Sequence, residues 1–295
     1  MTPGSLTYAA VTPVWNEAET LERLADCLRS QTRPPSAWVI VDTGSSDRTR
    51  EVAAALSDEH AWISTVTSGG EGRPQPGAPI VRAFHVGLEH LELRPHVVVK
   101  LDADVSFADD YFEGLLAAFA AGPTLGIASG SCWERDATET WRETQVSSGH
   151  VRGATRAYRW SCLQQLLPLE ESMGWDGIDE LKANTLGWRT EIVDGLAFFH
   201  HRRVGARDGS ASARWKAQGR GAHYMGYRFW YLLLRSLHRA RTDASALWMI
   251  GGYLAAAGRR EPRYADAAVR RELHRRQSLR QLASQTREAL QQRRL

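Results

Sequence analysis

Residues 97–104 have the sequence Val-Val-Val-Lys-Leu-Asp-Ala-Asp, an apolar run typical of a buried strand followed by two carboxylates. Similar runs occur at Leu6–Val14, Trp38–Asp42 and Trp62–Val66, and stretches with helical character separate them. Strands that alternate with helices form right-handed βαβ units, and such units build a mainly parallel sheet. The chain is therefore predicted to have an α/β fold, with helices flanking that sheet.

Local signals predict where the first helices begin. Asn16, with Glu19 three residues later, has the pattern of a capping box, so we expect a helix from there to about Gln31. A Ser106 cap with Asp109 three residues on predicts another helix. The remaining predicted helices and strands of this region are Asp47–Leu56, Ile80–Leu91, Gly126–Ser131 and Thr190–Ala197.

The composition is that of a globular protein. Of 295 residues, 43% are hydrophobic and 24% charged, which excludes a fibrous or wholly disordered chain. The longest nearly uncharged apolar stretch, Ala244–Gly258, has 15 residues, whereas a bilayer-spanning helix needs about 20. We expect no secretory leader, and the three cysteines lack metal-ligand spacing, which favours free thiols in a reducing cytosol.

Charge is distributed unevenly along the chain. The net charge is +3, yet Arg259–Leu295 holds eleven Arg against four acidic residues, a local net charge of +7. Two predicted helices before it, Phe229–Leu237 and Ala246–Leu254, are apolar with aromatic ends. They either lie in a membrane interface with Arg on lipid phosphates, or pack onto the first domain, or pair in a homodimer. We therefore divide the chain into a domain at 1–205 and a basic helical extension at 206–295, and we expect no nucleic-acid partner because no recognition module is present.

Polar residues follow three of the predicted strands, at Thr12–Glu17, Asp42–Asp47 and Asp102–Asp104. In open α/β sheets, ligands bind beyond the carboxyl ends of the strands. Asp102 and Asp104 are one residue apart on an extended chain, so their side chains point the same way and repel each other unless a cation lies between them. Such oxygen ligands suit Mg²⁺ or Mn²⁺, ions that also bind diphosphates. The alternative is a solvated turn that caps the next helix.

The motifs Thr12-Pro-Val-Trp-Asn-Glu17, Val41-Asp-Thr-Gly-Ser-Ser-Asp-Arg-Thr49 and Leu101-Asp-Ala-Asp104 resemble those of family 2 glycosyltransferases in order and spacing. The resemblance runs from about Leu6 to Gly205 and implies the Rossmann-like GT-A fold. It also implies an inverting transferase that uses a nucleoside-diphosphate sugar donor and a divalent cation. We expect the acceptor to be a glycan, a lipid-linked saccharide or a small molecule. Such an enzyme would serve polysaccharide biosynthesis in the cytoplasm or on the inner face of the cell membrane.

The resemblance also implies roles for residues at the donor site. Thr12 and Val14 would lie beside the nucleobase, and Asp42 and Thr43 would border the same pocket. Many family members have a second Asp where this chain has Thr43, so the base that is recognised stays open. The residues expected to bind the nucleotide sugar are Thr12, Pro13, Val14, Asn16, Glu17, Asp42, Thr43, Arg82, Asp102, Ala103 and Arg220.

The metal ligands expected from the resemblance are Asp104 directly and Asp102 beside the ribose. His200 and His201 follow a predicted strand, and one of these imidazoles either completes the metal shell or is structural. Arg202, next to them, is expected to hold phosphates or an anionic acceptor, as guanidinium groups do well.

A catalytic base is expected near Trp175-Asp176, because this dipeptide stands where family members often have a Glu-Asp pair whose Asp is the base. Asp176 is placed just before a predicted helix at Asp179–Leu186, and Asp179 is the reserve candidate. A carboxylate must take the proton of the acceptor hydroxyl as its oxygen attacks the anomeric carbon. An in-line single displacement then inverts that carbon.

The alternative function is a catalytically degenerate scaffold that binds sugar nucleotides at a membrane surface. Intact carboxylates at Asp102, Asp104 and Asp176 argue against it, because a scaffold needs no base. We therefore expect an enzyme.

Overall fold

The computed structural model describes residues 6–69, 78–136, 138–144, 150–202 and 210–278. The chain forms two compact units, the first from Met1–Glu171 and Leu186–Val204 and the second from Ser172–Thr185 and Gly205–Leu295. The domain boundary that we predict at residue 205 and the end of the basic tail lie outside the described residues.

The first unit is built on one mixed sheet of nine described strands. They are β1 (Tyr8–Val14), β2 (Ala37–Asp42), β3 (Ile63–Thr67), β4 (Val97–Leu101), β5 (Val105–Phe107), β6 (Leu125–Arg135), β7 (Trp141–Glu143), β8 (Thr155–Arg159) and β9 (Arg189–His200). Their order is β3-β2-β1-β4-β8-β6-β9-β5, and β7 pairs with β6 beside this path.

Half of the sheet is the parallel βαβ arrangement that the sequence predicts. The mutually parallel strands are β3, β2, β1 and β4. Beyond them lies β8, which pairs antiparallel with both β4 and β6. The helices of this unit are α1 (Ala18–Arg29), α2 (Thr49–Glu59), α3 (Ala78–Glu89), α4 (Tyr111–Ala121) and α5 (Trp160–Leu166). The predicted fold class is confirmed.

The central strand β8 is a feature that the sequence did not predict. Its second residue, Arg156, is fully buried. The Nε of Arg156 donates to Tyr158 Oη at 3.0 Å and its Nη1 donates to the carbonyl of Val151. A buried arginine interrupts the apolar run by which central strands are recognised. That interruption concealed the strand.

Two helices start later than their capping patterns predict, and both capping predictions are wrong. Asn16 has φ +53°, and Glu17 takes the N-cap position of α1 without a side-chain capping bond. Asn16 Oδ1 accepts instead the N–H of Ser46 at 2.8 Å, which joins the end of β1 to the loop after β2. Ser106 lies within β5, and Asp110 is the N-cap of α4. Asn16 and Ser106 therefore lie at the edge of the sheet and cap neither helix.

Buried contacts from β2 and α3 fix the position of β1 near that edge. Trp38 on β2 is fully buried and its Nε1 donates to Thr12 Oγ1 at 2.8 Å. Helix α3 approaches β1 at Gly87, where a Cβ atom would lie 2.3 Å from Val11 Cγ1. Since real Cβ contacts are longer than this, only glycine fits without displacing the helix.

The second unit is helical in its described part. Its elements are α6 (Trp175–Thr185), α7 (Ala211–Met225), α8 (Phe229–Arg239), a 3₁₀ turn (Ala244–Leu247), α9 (Trp248–Gly258) and α10 (Ala267–Arg276). Helices α7 and α9 meet backbone to backbone, since a Cβ at Gly219 would lie 1.9 Å from the Met249 carbonyl oxygen and one at Gly252 2.1 Å from that of Lys216. Within the described ranges, no helix combines the length and the apolar character needed to cross a bilayer.

Candidate active site

The carboxyl end of β4 carries the two predicted metal-binding aspartates. Asp102 follows the last residue of β4, and Asp104 precedes β5. Antiparallel pairing of β5 with β9 sets Val105 opposite His200, which brings His200 Nε2 to 3.1 Å from Asp104 Oδ1. One ligand atom of each of Asp102, Asp104 and His200 lies within 4.8 Å of the others. We call these three residues the aspartate–histidine cluster.

Positive charge surrounds the carboxylates of this cluster. Lys100 Nζ contacts Asp102 Oδ1, and Arg202 Nη1 lies 3.5 Å from Asp104 Oδ2. Burial opposes ionisation of Asp104, but the contact with His200 and the charge of Arg202 outweigh it and lower the pKa of Asp104. Burial likewise favours neutral His200, yet the hydrogen bond with Asp104 and the nearby carboxylates raise its pKa to about 12. The charges of His200, Lys100 and Arg202 thus compensate those of the two carboxylates, and His200 would have to lose its proton before its Nε2 could bind a cation.

His201, the fourth predicted ligand, does not join the cluster. Its Nε2 lies 2.7 Å from Ser106 Oγ, and its ring packs edge-on against Trp141 with centroids 5.3 Å apart. Successive side chains of an extended chain point to opposite faces. Only one of the two neighbouring histidines, His200, can therefore face the aspartates.

Two residues of β6 approach the other side of the His200 ring, and sequence reasoning missed both. Parallel pairing sets Glu134 opposite His200, and Glu134 Oε1 lies 3.9 Å from His200 Nδ1 while accepting from Arg152 Nη1 at 2.8 Å. Cys132 Sγ is 3.9 Å from the same carboxylate oxygen. His200 Nδ1 itself is buried and has no hydrogen-bond partner among the residues that the structure describes. No local sequence signal marks these residues, because the strand that carries His200 comes much later in the chain.

The ends of β1 and β2 form the second part of the site. The amide and the hydroxyl of Thr43 both donate to the Val14 carbonyl at 3.0 Å, which joins the two strand ends. Asp42 accepts from Ser45 N–H at 3.0 Å and from Arg50 Nε at 2.6 Å. Burial raises the pKa of Asp42, but these hydrogen bonds outweigh that effect and lower it. Three of the predicted donor-site residues therefore lie together.

Thr12, Pro13 and Ala103 lie within or beside the sheet at the same end. The side chain of Thr12 is fully buried, and Ala103 is buried between the two aspartates of the cluster, while Pro13 is half-buried. Their roles in donor binding stay predictions.

Arg202 connects the aspartate–histidine cluster to the start of α1. Its Nη1 and Nη2 donate to the two carboxylate oxygens of Glu17, each at 2.8 Å. That Arg202 holds phosphates or an anionic acceptor stays a prediction, and in this structure the guanidinium is paired with a carboxylate of the chain itself. A pocket of about 420 Å³ opens beside the pair. Its lining residues are Asn16, Glu17, Ala18, Glu19, Thr20, Asp47, Arg48 and Arg202.

Arg82 and Arg220, predicted to bind the donor, both make ion pairs on exposed surfaces. Arg82 Nε lies 3.2 Å from Glu171 Oε2 in the first unit. Arg220 Nε lies 2.6 Å from Glu261 Oε2 in the second unit. Either guanidinium would have to leave a carboxylate before it could bind a phosphate.

The two candidates for the base lie on α6 in the second unit. Asp176 is in the first turn of this helix, whereas we expected it just before the helix; its Oδ1 accepts the N–H of Gly177 at 3.0 Å. The N–H of Ile178 donates to the Gly174 carbonyl at 3.1 Å, so the first helical turn is already closed before Asp179. Asp176 is half-buried, while Asp179 is only 3% exposed.

Comparison with known families supplies one match. The family described as Glycosyl transferase family 2 matches residues 9–166, which is more than half of the 295 residues. The matched segment includes the ends of β1, β2 and β4 with Asp42, Asp102 and Asp104, whereas His200, Arg202 and Asp176 lie beyond it. No curated protein matches the chain in sequence.

Several solved structures share the fold. PcManGT, a mannosyltransferase from Pyrobaculum calidifontis in complex with GDP-Man and Mn²⁺, has a TM-score of 0.58 at 16% identity, over 96% of this chain and 84% of that one. TarS of S. aureus in complex with UDP-GlcNAc has a TM-score of 0.56 at 15% identity, over 72% of this chain and 65% of that one. GalNAc-T7 with UDP, GalNAc and Mn²⁺ has a TM-score of 0.58 at 15% identity, over 87% of this chain and 58% of that one. At such identities the likeness establishes the fold alone.

Proposed function

The chain belongs to glycosyltransferase family 2, and on this premise we propose that it moves a sugar from a nucleoside-diphosphate donor to an acceptor hydroxyl with inversion at the anomeric carbon. Family and fold make it a glycosyltransferase. The observation that carries the proposal is the aspartate–histidine cluster at the carboxyl end of β4. In open α/β sheets, nucleotides bind at this edge.

The residues of the cluster fit a divalent cation. Asp102 and Asp104 offer hard oxygen ligands suited to Mg²⁺ or Mn²⁺, and an imidazole nitrogen from His200 favours Mn²⁺. The position of Glu134, whose Oε1 lies 3.9 Å from His200 Nδ1, also supports this fit, because a metal-bound imidazole usually donates its other N–H to a carboxylate. When bound, the cation would stabilise the charge that develops on the leaving diphosphate.

The chain's own basic residues prepare this site. Lys100 and Arg202 hold Asp102 and Asp104 in place and offset their mutual repulsion. Both terminal nitrogens of Arg202 also fix Glu17, the N-cap residue of α1. The strand ends that would bind the nucleotide are therefore held in position before the donor arrives, which is how a site avoids reorganisation during the reaction.

We assign the base to Asp176. A base must reach the proton that it removes, and the half-buried Asp176 is more accessible than the nearly fully buried Asp179. An ionised carboxylate accepts hydrogen bonds and donates none. Asp176 would orient the acceptor hydroxyl and take its proton as the oxygen attacks the anomeric carbon.

The donor and acceptor are proposed by class. PcManGT is in complex with GDP-Man and TarS with UDP-GlcNAc, so the fold accommodates both purine and pyrimidine nucleotide sugars. The acceptor is a glycan or a lipid-linked saccharide in polysaccharide biosynthesis, and the reaction takes place in the cytoplasm or on the inner face of the cell membrane. The basic second unit supports a location near anionic lipids.

A thermal-shift panel of UDP-, GDP- and dTDP-sugars with Mn²⁺ tests the donor class, because a ligand stabilises the folded state according to its occupancy. One nucleotide sugar is expected to raise the melting temperature only when Mn²⁺ is present. Asp104→Asn should abolish both that shift and turnover. A panel without any metal-dependent shift would contradict the proposal.

The base assignment is tested separately with the preferred donor. Asp176→Asn should retain the thermal shift and lose turnover, while the matched variant Asp179→Asn should keep both. Wild-type turnover in Asp176→Asn would reject the assignment and transfer it to Asp179. Donor binding without turnover on any acceptor would favour the scaffold alternative.

A further inference from the structure

The second unit exposes a concentration of apolar side chains. Nine large hydrophobic side chains are exposed among the described residues, and seven of these lie on α8, the 3₁₀ turn and α9. These seven are 37–52% exposed: Phe229, Leu233, Leu234, Leu237, Leu247, Trp248 and Leu254. We call them the α8–α9 surface. Apolar residues scattered singly are normal on a protein, but a concentration of them marks an interaction site.

The α8–α9 surface belongs to a pair of helices that pack on each other. Ser236 Oγ on α8 donates to the Ala246 carbonyl of the 3₁₀ turn at 2.8 Å, and the rings of Phe229 and Tyr253 lie with centroids 5.6 Å apart. Leu232 and Ser236 are buried, four residues apart, so they mark the inner face of α8. The exposed leucines of this helix are consequently not part of the unit's core.

The same segment is strongly basic. Residues 228–260 contain six Arg and one acidic residue, Asp243. Asp243 is engaged, since it accepts from Trp215 Nε1 at 2.7 Å and lies 3.9 Å from Arg214. Arg241 and Arg260 are exposed and make no ion pair with any residue that the structure describes. Each of these arginines lies two residues past the end of α8 or α9, so uncompensated positive charge adjoins the helices that carry the exposed apolar side chains.

We infer that the α8–α9 surface docks onto an anionic lipid bilayer. The apolar side chains of this surface would enter the boundary between headgroups and acyl chains. The neighbouring arginines, among them Arg241 and Arg260, would bind lipid phosphates. A second copy of the chain fits less well, because a two-fold dimer would set this basic surface against itself. The purpose of docking, which is to bring the enzyme to a membrane-borne acceptor, rests on the proposed function, whereas the docking itself does not.

Flotation of the full chain with vesicles tests the docking directly. The protein should float with phosphatidylcholine vesicles that contain about one-third phosphatidylglycerol, and not with phosphatidylcholine alone. Leu234→Asn/Leu237→Asn/Trp248→Asn should lower the bound fraction about tenfold. Arg241→Glu/Arg260→Glu, which leaves the apolar residues intact, should also lower it at least fivefold. The matched control Leu93→Asn removes an exposed leucine of the first unit and should bind as the wild type does.

Three outcomes would overturn the inference. In the first, the wild-type protein floats with neither kind of vesicle. In the second, the triple variant floats as the wild type does. In the third, the wild-type protein is a dimer in solution and the triple substitution dissociates it. Circular dichroism confirms that each variant is folded. Turnover on a water-soluble acceptor without vesicle binding would reject the docking and leave the proposed function intact, whereas vesicle binding without turnover would do the reverse.

Discussion

Replacing Arg202 by Gln should destabilise the first unit by about 2 kcal/mol, half of what breaking a fully buried ion pair costs. Both guanidinium nitrogens donate to Glu17 at 2.8 Å, and the side chains of Glu17 and Arg202 are 8% and 29% exposed. Removal of one partner of a buried pair costs about 3–5 kcal/mol, because the other charge stays buried. Partial exposure of Arg202 and the hydrogen bond from Thr20 Oγ1 to Glu17 at 2.7 Å reduce that cost.

Urea denaturation gives the free energy of unfolding, and about 2 kcal/mol corresponds to a melting temperature about 4–8 °C lower. The matched control is Arg50→Gln, because Arg50 also pairs with a buried carboxylate, Asp42, at 2.6 Å but is 55% exposed. Asp42 keeps the N–H donors of Gly44 and Ser45. The control should therefore cost less than about 1 kcal/mol.

A double-mutant cycle decides whether the pair itself is responsible. Glu17→Gln/Arg202→Gln should be more stable than the two single effects predict, by about 1–2 kcal/mol. The reasoning is refuted if Arg202→Gln costs no more than Arg50→Gln. It is equally refuted if the single effects add within about 0.5 kcal/mol.

Three further predictions concern other parts of the first unit. Gly87→Ala should destabilise it by about 1–3 kcal/mol in urea denaturation, because the new Cβ meets valines of two strands. Gly69→Ala, whose new Cβ would meet none of the residues that the structure describes, should be neutral; equal effects would contradict this. Burial raises the pKa of Asp42, but its hydrogen bonds outweigh that effect and lower the pKa overall. The stabilisation that ionised Asp42 contributes is therefore present above about pH 4 and is lost as the pH falls through the lowered pKa. The melting-temperature difference between wild type and Asp42→Asn should shrink over that pH range, and a constant difference would contradict the prediction. Glu134→Gln should weaken Mn²⁺ binding about tenfold in calorimetry because His200 loses its orienting carboxylate, and an unchanged dissociation constant would exclude that role.

Local pattern was enough to predict the parallel half of the sheet and the position of its two aspartates. Apolar runs with alternating helices specify βαβ units, because each strand and helix is formed from neighbouring residues. Asp102 and Asp104 then follow at the end of β4 from their place in the run. The strand β8 escaped prediction because the buried Arg156 is stabilised by contacts that only the folded chain supplies.

Which of the candidate residues meets the two aspartates, and which further residues lie beside them, was decided by tertiary structure. His200 meets Asp104 across 96 residues of sequence, and Arg202 meets Glu17 across 185. The register of β9 against β5 and β6 selects His200 over His201 and brings Glu134 beside it. Strand register depends on how the whole sheet packs, and a shift of one residue reverses which side chains face the site. A single sequence carries no local signal for that choice, so the partners of the two aspartates became known only from the fold.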